Sequence, residues 1–362
     1  MISTMRSFID LDRTFSGQPR ELGAILSGID TGRGQERLFE DQAPELLKRL
    51  SEDARIASIT ASNAIEGVVV DDERAGRIAE GGRFRNRNER EFAGYRDAID
   101  MLMRLDSHEA LTVPFVLRLH RMLFQHTDGR GGHLKSDQNL IVSYESGRRE
   151  TVFTPPPPEE AEFLLTELLV RYDEAKREGD THPLVLTGAL ILDLLAIHPV
   201  ADGNGRLARL VTTHELLAHG YSVARYVSIE QRVYETKHSY YASLHESQRH
   251  WHEGEHDIWP WVTYLARTLA GAYEDFEGRL ASSGEETGSK QQRAREYILN
   301  QAPREFRRRD IERALPGISP ATIRLALNNL RDAQRIEPKG SGPSARWRKL
   351  PGGCERDNSR EV

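Results

Sequence analysis

"PLVLTGALILDLLAIHPVADGNGRLARLVTTHELLAHG", residues 183–220, sets an apolar run against a short glycine-bearing loop and then a second helical pattern. The run at 184–197 is broken by Asp193 and falls short of the roughly 20 residues a membrane span takes, so it predicts a buried core helix. Pro199 ends that helix, because the residue before a proline is pushed out of helical geometry. Gly203 and Gly205 let the backbone turn tightly and approach a ligand. The chain re-enters a helix near Arg206, turning free backbone N–H groups and a positive dipole end towards the loop, an arrangement that binds phosphate. Arg206 and Arg209 are three apart and share a helical face. Asp202 is a hard oxygen ligand suited to Mg²⁺ held between carboxylate and phosphates. His198 is the one group in the loop that takes a proton near neutral pH. A base, an anion cradle, a metal carboxylate and two cationic clamps together describe phosphate-bond chemistry.

The 362 residues around this stretch are enough for two or three domains. At 38% hydrophobic and 29% charged the chain has an ordinary soluble composition. A single cysteine, Cys354, excludes an internal disulfide and suits a reducing compartment. The N-terminal "MISTMRSFIDLDRTF" lacks the apolar stretch of a secretory signal. The expectation is a cytoplasmic protein with no membrane association. Residues 290–349 hold fifteen Lys/Arg against six Asp/Glu, a balance of +9, which leaves about −15 on the rest of a chain whose net charge is −6. A basic module on an acidic body points to anionic partners.

Helical periodicity dominates, with candidates at 43–66, 88–105, 112–126, 159–177, 184–197, 206–219, 235–248 and 257–280. Gly67 and Gly220 stop two of them. "NLIVSYESGRRETVFT" reads as a β-hairpin, and the last proline of "PPPPEE" (155–160) opens the following helix. The small, polar stretch "ASSGEETGSK" (281–290) is the best domain boundary. The expected division is an N-terminal helical region at 1–105, a catalytic domain at 106–280, a linker at 281–290, a winged-helix-like domain at 291–350 and a tail at 351–362.

"HPVADGNGRLAR" (198–209) resembles the signature of the Fic family, His-Pro-Phe-x-Asp/Glu-Gly-Asn-Gly-Arg-x-x-Arg. It departs only at Val200, where the family usually has phenylalanine, and a smaller side chain there is expected to loosen the placement of His198. The resemblance implies a mostly α fold, a helical bundle with a β-hairpin flap. The implied activity is transfer of AMP from ATP to a protein Ser, Thr or Tyr hydroxyl, self-modification included. It implies His198 as general base, Asp202 holding Mg²⁺, Gly203, Asn204 and Gly205 as the anion hole, and Arg206 and Arg209 on the β- and γ-phosphates. "SNAIEG" (62–67) is similar to the family's inhibitory motif, Ser/Thr-x-x-x-Glu-Gly/Asn, without departure. Ser62 and Glu66 are four apart on one helix, and the resemblance has Glu66 pair with Arg209 and keep the γ-phosphate from seating. The hairpin resembles the flap, which places Thr151, Val152 and Phe153 on the nucleotide side, and "YYASLHESQ" (240–248) places Tyr240, Tyr241 and Gln248 by the adenine. By residue type alone, tyrosines on an amphipathic helix are more often core than ligand, and the resemblance brings the two readings to even.

Two histidine clusters compete for attention. "HELLAH" (214–219) nearly repeats a zinc-protease pattern, but its histidines are five apart and diverge around the helix. "RHWHEGEHD" (249–257) lacks the cysteines and spacing of a structural zinc site. In the basic module, Ser319-Pro320 starts a helix, and Ile311, Leu315, Ile318, Ile323, Leu327 and Leu330 make a small core. "RIEPKGSGPSARWRKL" reads as a hairpin with a Gly/Ser/Pro tip. This pattern resembles a winged helix-turn-helix, whose exposed Arg324, Asn328 and Arg331 are candidates for a DNA groove through residues 290–350. A protein-docking or dimerising module, with a homodimer as its product, is the other reading. Two further functions stay open. One is a relative that transfers another group, although Gly205 argues against the kinase-like branch, which has a lysine there. The other is a transcription regulator whose Fic body senses nucleotide.

Overall fold

The structure, a computed structural model, describes residues 7–8, 11–15, 17–42, 44–104, 109–129, 131–145, 148–340 and 346–350. Cys354 and the tail at 351–362, the hairpin tip at 341–345 and loop residues 146–147 lie outside these. The chain divides into two compact units, Met1–Phe276 and Glu277–Val362.

The first unit runs α1 (Leu11–Phe15), α2 (Arg20–Gln42), α3 (Pro44–Ile65), α4 (Asp72–Ala79), α5 (Arg87–Arg104) and α6 (Val113–Phe124). The hairpin β1 (Ile141–Glu145) and β2 (Arg148–Phe153) follows, then α7 (Pro158–Glu178), α8 (Pro183–Ile197), α9 (Asn204–Ala218), a 3₁₀ turn at Ser222–Arg225, α10 (Ile229–Glu235), α11 (Lys237–Gln248) and α12 (Trp259–Asn300). The core is built on α8, in which every residue from Leu184 to Ile197 is buried, and on α9 beside it. Truncating one such leucine to alanine costs about 2–5 kcal/mol. Asp193, the polar break in the apolar run, accepts hydrogen bonds from Ser7 Oγ at 2.8 Å and Trp251 Nε1 at 2.7 Å. A buried carboxylate with two donors is tolerated where an unpartnered one is not. No helix among the described residues is long and apolar enough to cross a membrane.

Four helices of this unit lie where the sequence reading expects none: α1, α2, α4 and α10. Four glycines (23, 28, 32 and 34) weaken the helical propensity of α2, but Leu22, Leu26 and Ile29 bury completely or nearly so. Gly32 lies against Tyr273, so close that a Cβ would fall 2.5 Å from the ring. Tertiary packing decides this helix. α12 does not stop at 280; its helical backbone continues through 281–290 to Asn300, and the division between the units falls within it.

In the second unit, the end of α12 is followed by β3 (Glu305–Arg307), α13 (Arg308–Ala314), α14 (Pro320–Asp332), β4 (Ile336–Lys339) and β5 (Arg346–Lys349). The sheet is antiparallel in the order β3-β5-β4. Ile311, Ile318, Ile323, Leu327 and Leu330 are buried in one cluster with Phe306 and Ile336, and Leu315 packs against it. Ser319 caps α14 by accepting from Thr322 N at 3.1 Å.

Candidate functional site

α8 ends in a left-handed residue, His198 (φ 50°, ψ 59°), whose N–H donates to Leu194 O at 3.1 Å. A β-carbon makes this conformation costly, so the loop must be held by its surroundings. The holding groups come from elsewhere in the chain. The backbone carbonyls of Ile197, His198, Pro199, Val200 and Asp202 accept hydrogen bonds from them. Lys135 Nζ donates to Ile197 O (3.1 Å) and its backbone N–H to Pro199 O (2.9 Å). Asn139 Nδ2 donates to His198 O (3.3 Å) and Val200 O (3.0 Å), and Lys135 Nζ in turn donates to Asn139 Oδ1 (3.0 Å). Asn204 brackets Val200, donating to its O at 2.7 Å and accepting from its N–H at 3.1 Å. His120 Nδ1 accepts from Gly132 N at 3.0 Å, which leaves Nε2–H to donate to Asp202 O at 3.1 Å. Val200 is wholly buried.

Gly203 (φ 82°) precedes α9, which begins at Asn204, two residues earlier than the sequence pattern suggests. The first backbone bond, Leu207 N to Gly203 O at 2.9 Å, leaves the amides of residues 204–206 without intrahelical acceptors. Gly203 also lies against Phe124, 3.1 Å from where a Cβ would stand. Asp202 is exposed, and its Oδ1 accepts from Gly203 N at 2.7 Å. Asp202 is a lone hard carboxylate, and the described residues contain no group of three or more His, Cys, Asp or Glu that could enclose a metal. This donor set fits an ion shared with phosphate oxygens, as Mg²⁺ usually is.

His198 Nδ1 donates to Leu195 O at 3.1 Å, so the neutral ring carries its proton there and keeps the lone pair on Nε2. Burial pushes its pKa down to about 4, so the ring is an unprotonated base at neutral pH. Burial likewise takes Lys135 down to about 8 and His120 to about 4.

Both signature arginines are buried, and each has an acidic partner. Arg206 Nη1 donates to Glu91 Oε2 at 2.8 Å, with the guanidinium 5.2 Å from the Phe124 ring centroid. Arg209 donates to Ser62 Oγ (2.8 Å), Ser62 O (2.9 Å) and Glu66 Oε1 (2.8 Å). Burial alone raises the Glu66 pKa, but the charge and hydrogen bond of Arg209, with Arg206 and Lys237, hold it below the usual carboxylate range. Lys237 Nζ also donates to Ile65 O at 2.7 Å, at the end of α3. The Glu66 carboxylate overlies the cradle: a Cβ on Gly205 would fall 2.3 Å from Glu66 Oε1.

The remaining candidates separate. Thr151, Val152, Phe153 and Gln248 line one open groove of about 390 Å³ with His245 and His252, and the Phe153 and His252 rings stack at 5.1 Å. Consecutive helix residues point about 100° apart, and the two tyrosines divide accordingly. Tyr240 is buried edge-on against Trp261 and Tyr264, whereas Tyr241 is 45% exposed beside Lys237. The histidines of "HELLAH" meet different oxygens of the buried Glu215, His214 at Oε1 (2.7 Å) and His219 at Oε2 (3.7 Å). Glu215 serves them as a carboxylate, with Tyr172 OH donating at 2.5 Å.

Residues 110–216 match the model of the Fic/DOC family. A protein adenylyltransferase Fic from Nematostella vectensis is 26% identical over 253 residues, 67% of this chain and 53% of that protein. The protein adenylyltransferase fic-1 of Caenorhabditis elegans is 25% identical over 181 residues, 49% of this chain and 31% of that protein. The chain thus spans about half, or less, of the length of these curated relatives. Among solved structures, a Fic family protein from Desulfovibrio desulfuricans G20 shares the fold over 93% of this chain and 98% of its own, with a TM-score of 0.61 at 22% identity. A Fic domain containing signaling protein from Bacteroides thetaiotaomicron VPI-5482 does so over 68% and 95%, with a TM-score of 0.58 at 23% identity. The signature at 198–209 lies inside the matched span, so residues 110–216 are similar to a Fic domain, and the helical fold is shared with Fic proteins of known structure.

Proposed function

We propose that this chain is a protein adenylyltransferase that moves AMP from ATP to a protein hydroxyl and is held back by its own Glu66. The observation that carries the reading is the pairing of a neutral histidine, its Nε2 free, with a helix N-terminus whose second arginine is occupied by Glu66. The target hydroxyl oxygen attacks the α-phosphorus while its proton passes to His198 Nε2. The bond from the α-phosphorus to the bridging oxygen breaks, and pyrophosphate leaves. The amides of 204–206 and the guanidinium of Arg209 stabilise the charge that develops on phosphate oxygens. Asp202 would hold Mg²⁺, which would supply charge neutralisation to the phosphates. Because Glu66 takes the Arg209 bond that a phosphate needs, it competes with productive seating. Thr151–Phe153 and Gln248 fit the adenine side through their shared groove; Tyr241 fits it better than the buried Tyr240.

ATP labelled in its α-phosphate should label the chain or a target, and ATP labelled only in its γ-phosphate should not. Label from the γ position would make the enzyme a kinase and overturn the reading.

A second activity is favoured by the second unit, whose element order and three-stranded sheet fit a winged helix. Of its fifteen basic side chains at 290–349, Arg308, Arg331, Lys339 and Arg348 are held in ion pairs. Arg324 on α14 is exposed and has no ion-pair partner among the described residues. We propose that this face binds DNA. The expected observation is duplex binding that weakens steeply with salt and loses about one phosphate contact's slope in Arg324→Ala.

A further inference from the structure

Residues 77–90 carry five arginines and two glutamates. They run from the last turns of α4 through the connecting loop into α5. The loop is firmly built from beneath. Arg74 forks onto Glu89 (2.9 and 2.7 Å) and donates to Arg83 O at 2.8 Å, while Arg85 N donates to Glu89 Oε2 at 2.6 Å. Between those two anchor points, Phe84 packs on His126 with ring centroids 4.9 Å apart, and His126 Nε2 meets Asp97 at 2.6 Å. Side chains alternate along extended backbone, so with Phe84 turned to the body, its neighbours Arg83 and Arg85 stand out. Both are exposed, and they line an open hollow of about 510 Å³ with Arg74, Arg77, Gly81, Gly82 and one carboxylate, Glu80.

Arg77 is paired with Glu73 and Arg87 with Glu91, but Arg83, Arg85 and Arg90 have no ion-pair partner among the described residues. The rim joins the cradle through one carboxylate: Glu91 takes Arg87 Nε on one oxygen and Arg206 Nη1 on the other, each at 2.8 Å. Fixed, unpaired charge beside a catalytic cleft is a means of selecting what enters it.

Resting on the adenylyl-transfer reading, we propose that the arginine rim at 83–90 docks an acidic stretch of the protein substrate next to the hydroxyl that is modified. A short acidic segment is contained within one screening length of the rim, about 8 Å at physiological salt. A nucleic-acid strand would run off it onto a body carrying about −15 outside residues 290–349.

The test uses the full chain carrying Glu66→Gly, and fluorescence anisotropy with a short fluorescein-labelled peptide, one tyrosine flanked by glutamates. A glutamine-flanked peptide and a single-stranded oligonucleotide of equal charge serve as comparisons. The acidic peptide binds best, and Arg83→Ser with Arg85→Ser weakens it about 3- to 20-fold, two exposed ion pairs' worth. Arg83→Lys with Arg85→Lys retains most of the binding, and self-labelling and ATP affinity stay unchanged in both variants. Equal binding of the acidic and glutamine peptides, or a double-serine variant that still holds the acidic peptide, overturns the proposal. So does a loss of oligonucleotide binding alone. Binding is read without turnover, so charge-selective binding in a chain that transfers no AMP sinks the catalytic reading and leaves the docking site standing.

Discussion

Replacing Glu66 with glycine removes one of three hydrogen bonds that hold Arg209 and clears the space over Gly205. A hydrogen bond between charged groups is worth about 1.5–3 kcal/mol. If ATP seats productively only when Arg209 has left Glu66, that energy is the penalty on the competent state, and removing it raises the transfer rate roughly 10- to 150-fold. The same change weakens the protein without ligand. Arg209 keeps both bonds to Ser62 but loses its carboxylate, and its Nη1 already has no partner. Breaking a fully buried pair costs about 3–5 kcal/mol. With 31% of the Glu66 side chain exposed, about 1–2 kcal/mol is expected, a fall in Tm of roughly 2–6 °C. ATP with Mg²⁺ should then raise the Tm of the variant more than that of the parent, because phosphate replaces the missing anion. Label incorporation from α-labelled ATP and thermal melts with and without nucleotide measure the two effects on one sample. Equal rates together with equal ATP-induced shifts would refute the competition between Glu66 and phosphate.

Three further outcomes follow from the same geometry. Gly205→Ala should cost about 1–3 kcal/mol in the parent, where the new methyl meets Glu66 Oε1, yet be neutral or stabilising by about 0.5–1 kcal/mol in Glu66→Gly; additive melts in this double-mutant cycle would contradict the contact. Asn139→Ala frees the carbonyl of His198 and leaves that of Val200 to Asn204 alone, and should lower kcat about 10-fold or more with little change in the KM for ATP; a change in KM alone would remove its positioning role. Burial lowers His198 from its ordinary 6.5 to about 4, so the folded protein resists the proton that the unfolded chain accepts. Transfer by Glu66→Gly should therefore stay level down through pH 6 and fall only as pH approaches 4, whereas an acid limb centred near 6.5 would mean that His198 is solvated or is not the base.

Much of the site was legible because its parts are contiguous. The twelve residues 198–209 lie on one helix end, one loop and one helix start, and "SNAIEG" spans the last turn of α3 and the two residues after it. The apolar run and its proline boundary sufficed for α8, and alternation flanking a glycine sufficed for the hairpin. Lys135, Asn139 and His120 left no such trace. Their acceptors are backbone carbonyls 59–82 positions away, which any polar side chain could serve and no spacing encodes. Glu91 was hidden for the same reason, 115 residues from Arg206. α2 was invisible because glycine propensity spoke against it and only the packed face, with Gly32 on Tyr273, speaks for it. The tyrosine pair shows the opposite error: adjacent in sequence, Tyr240 and Tyr241 were read as one feature, but a helix sends one to the core and the other to solvent.

Intact-mass spectrometry after incubation with ATP and Mg²⁺ tests the central claim most directly, on Glu66→Gly and on the same chain also carrying His198→Ala. The first should gain mass in whole adenylyl groups and the second none. A gain in both, a gain of phosphate alone, or no gain in either would contradict the account.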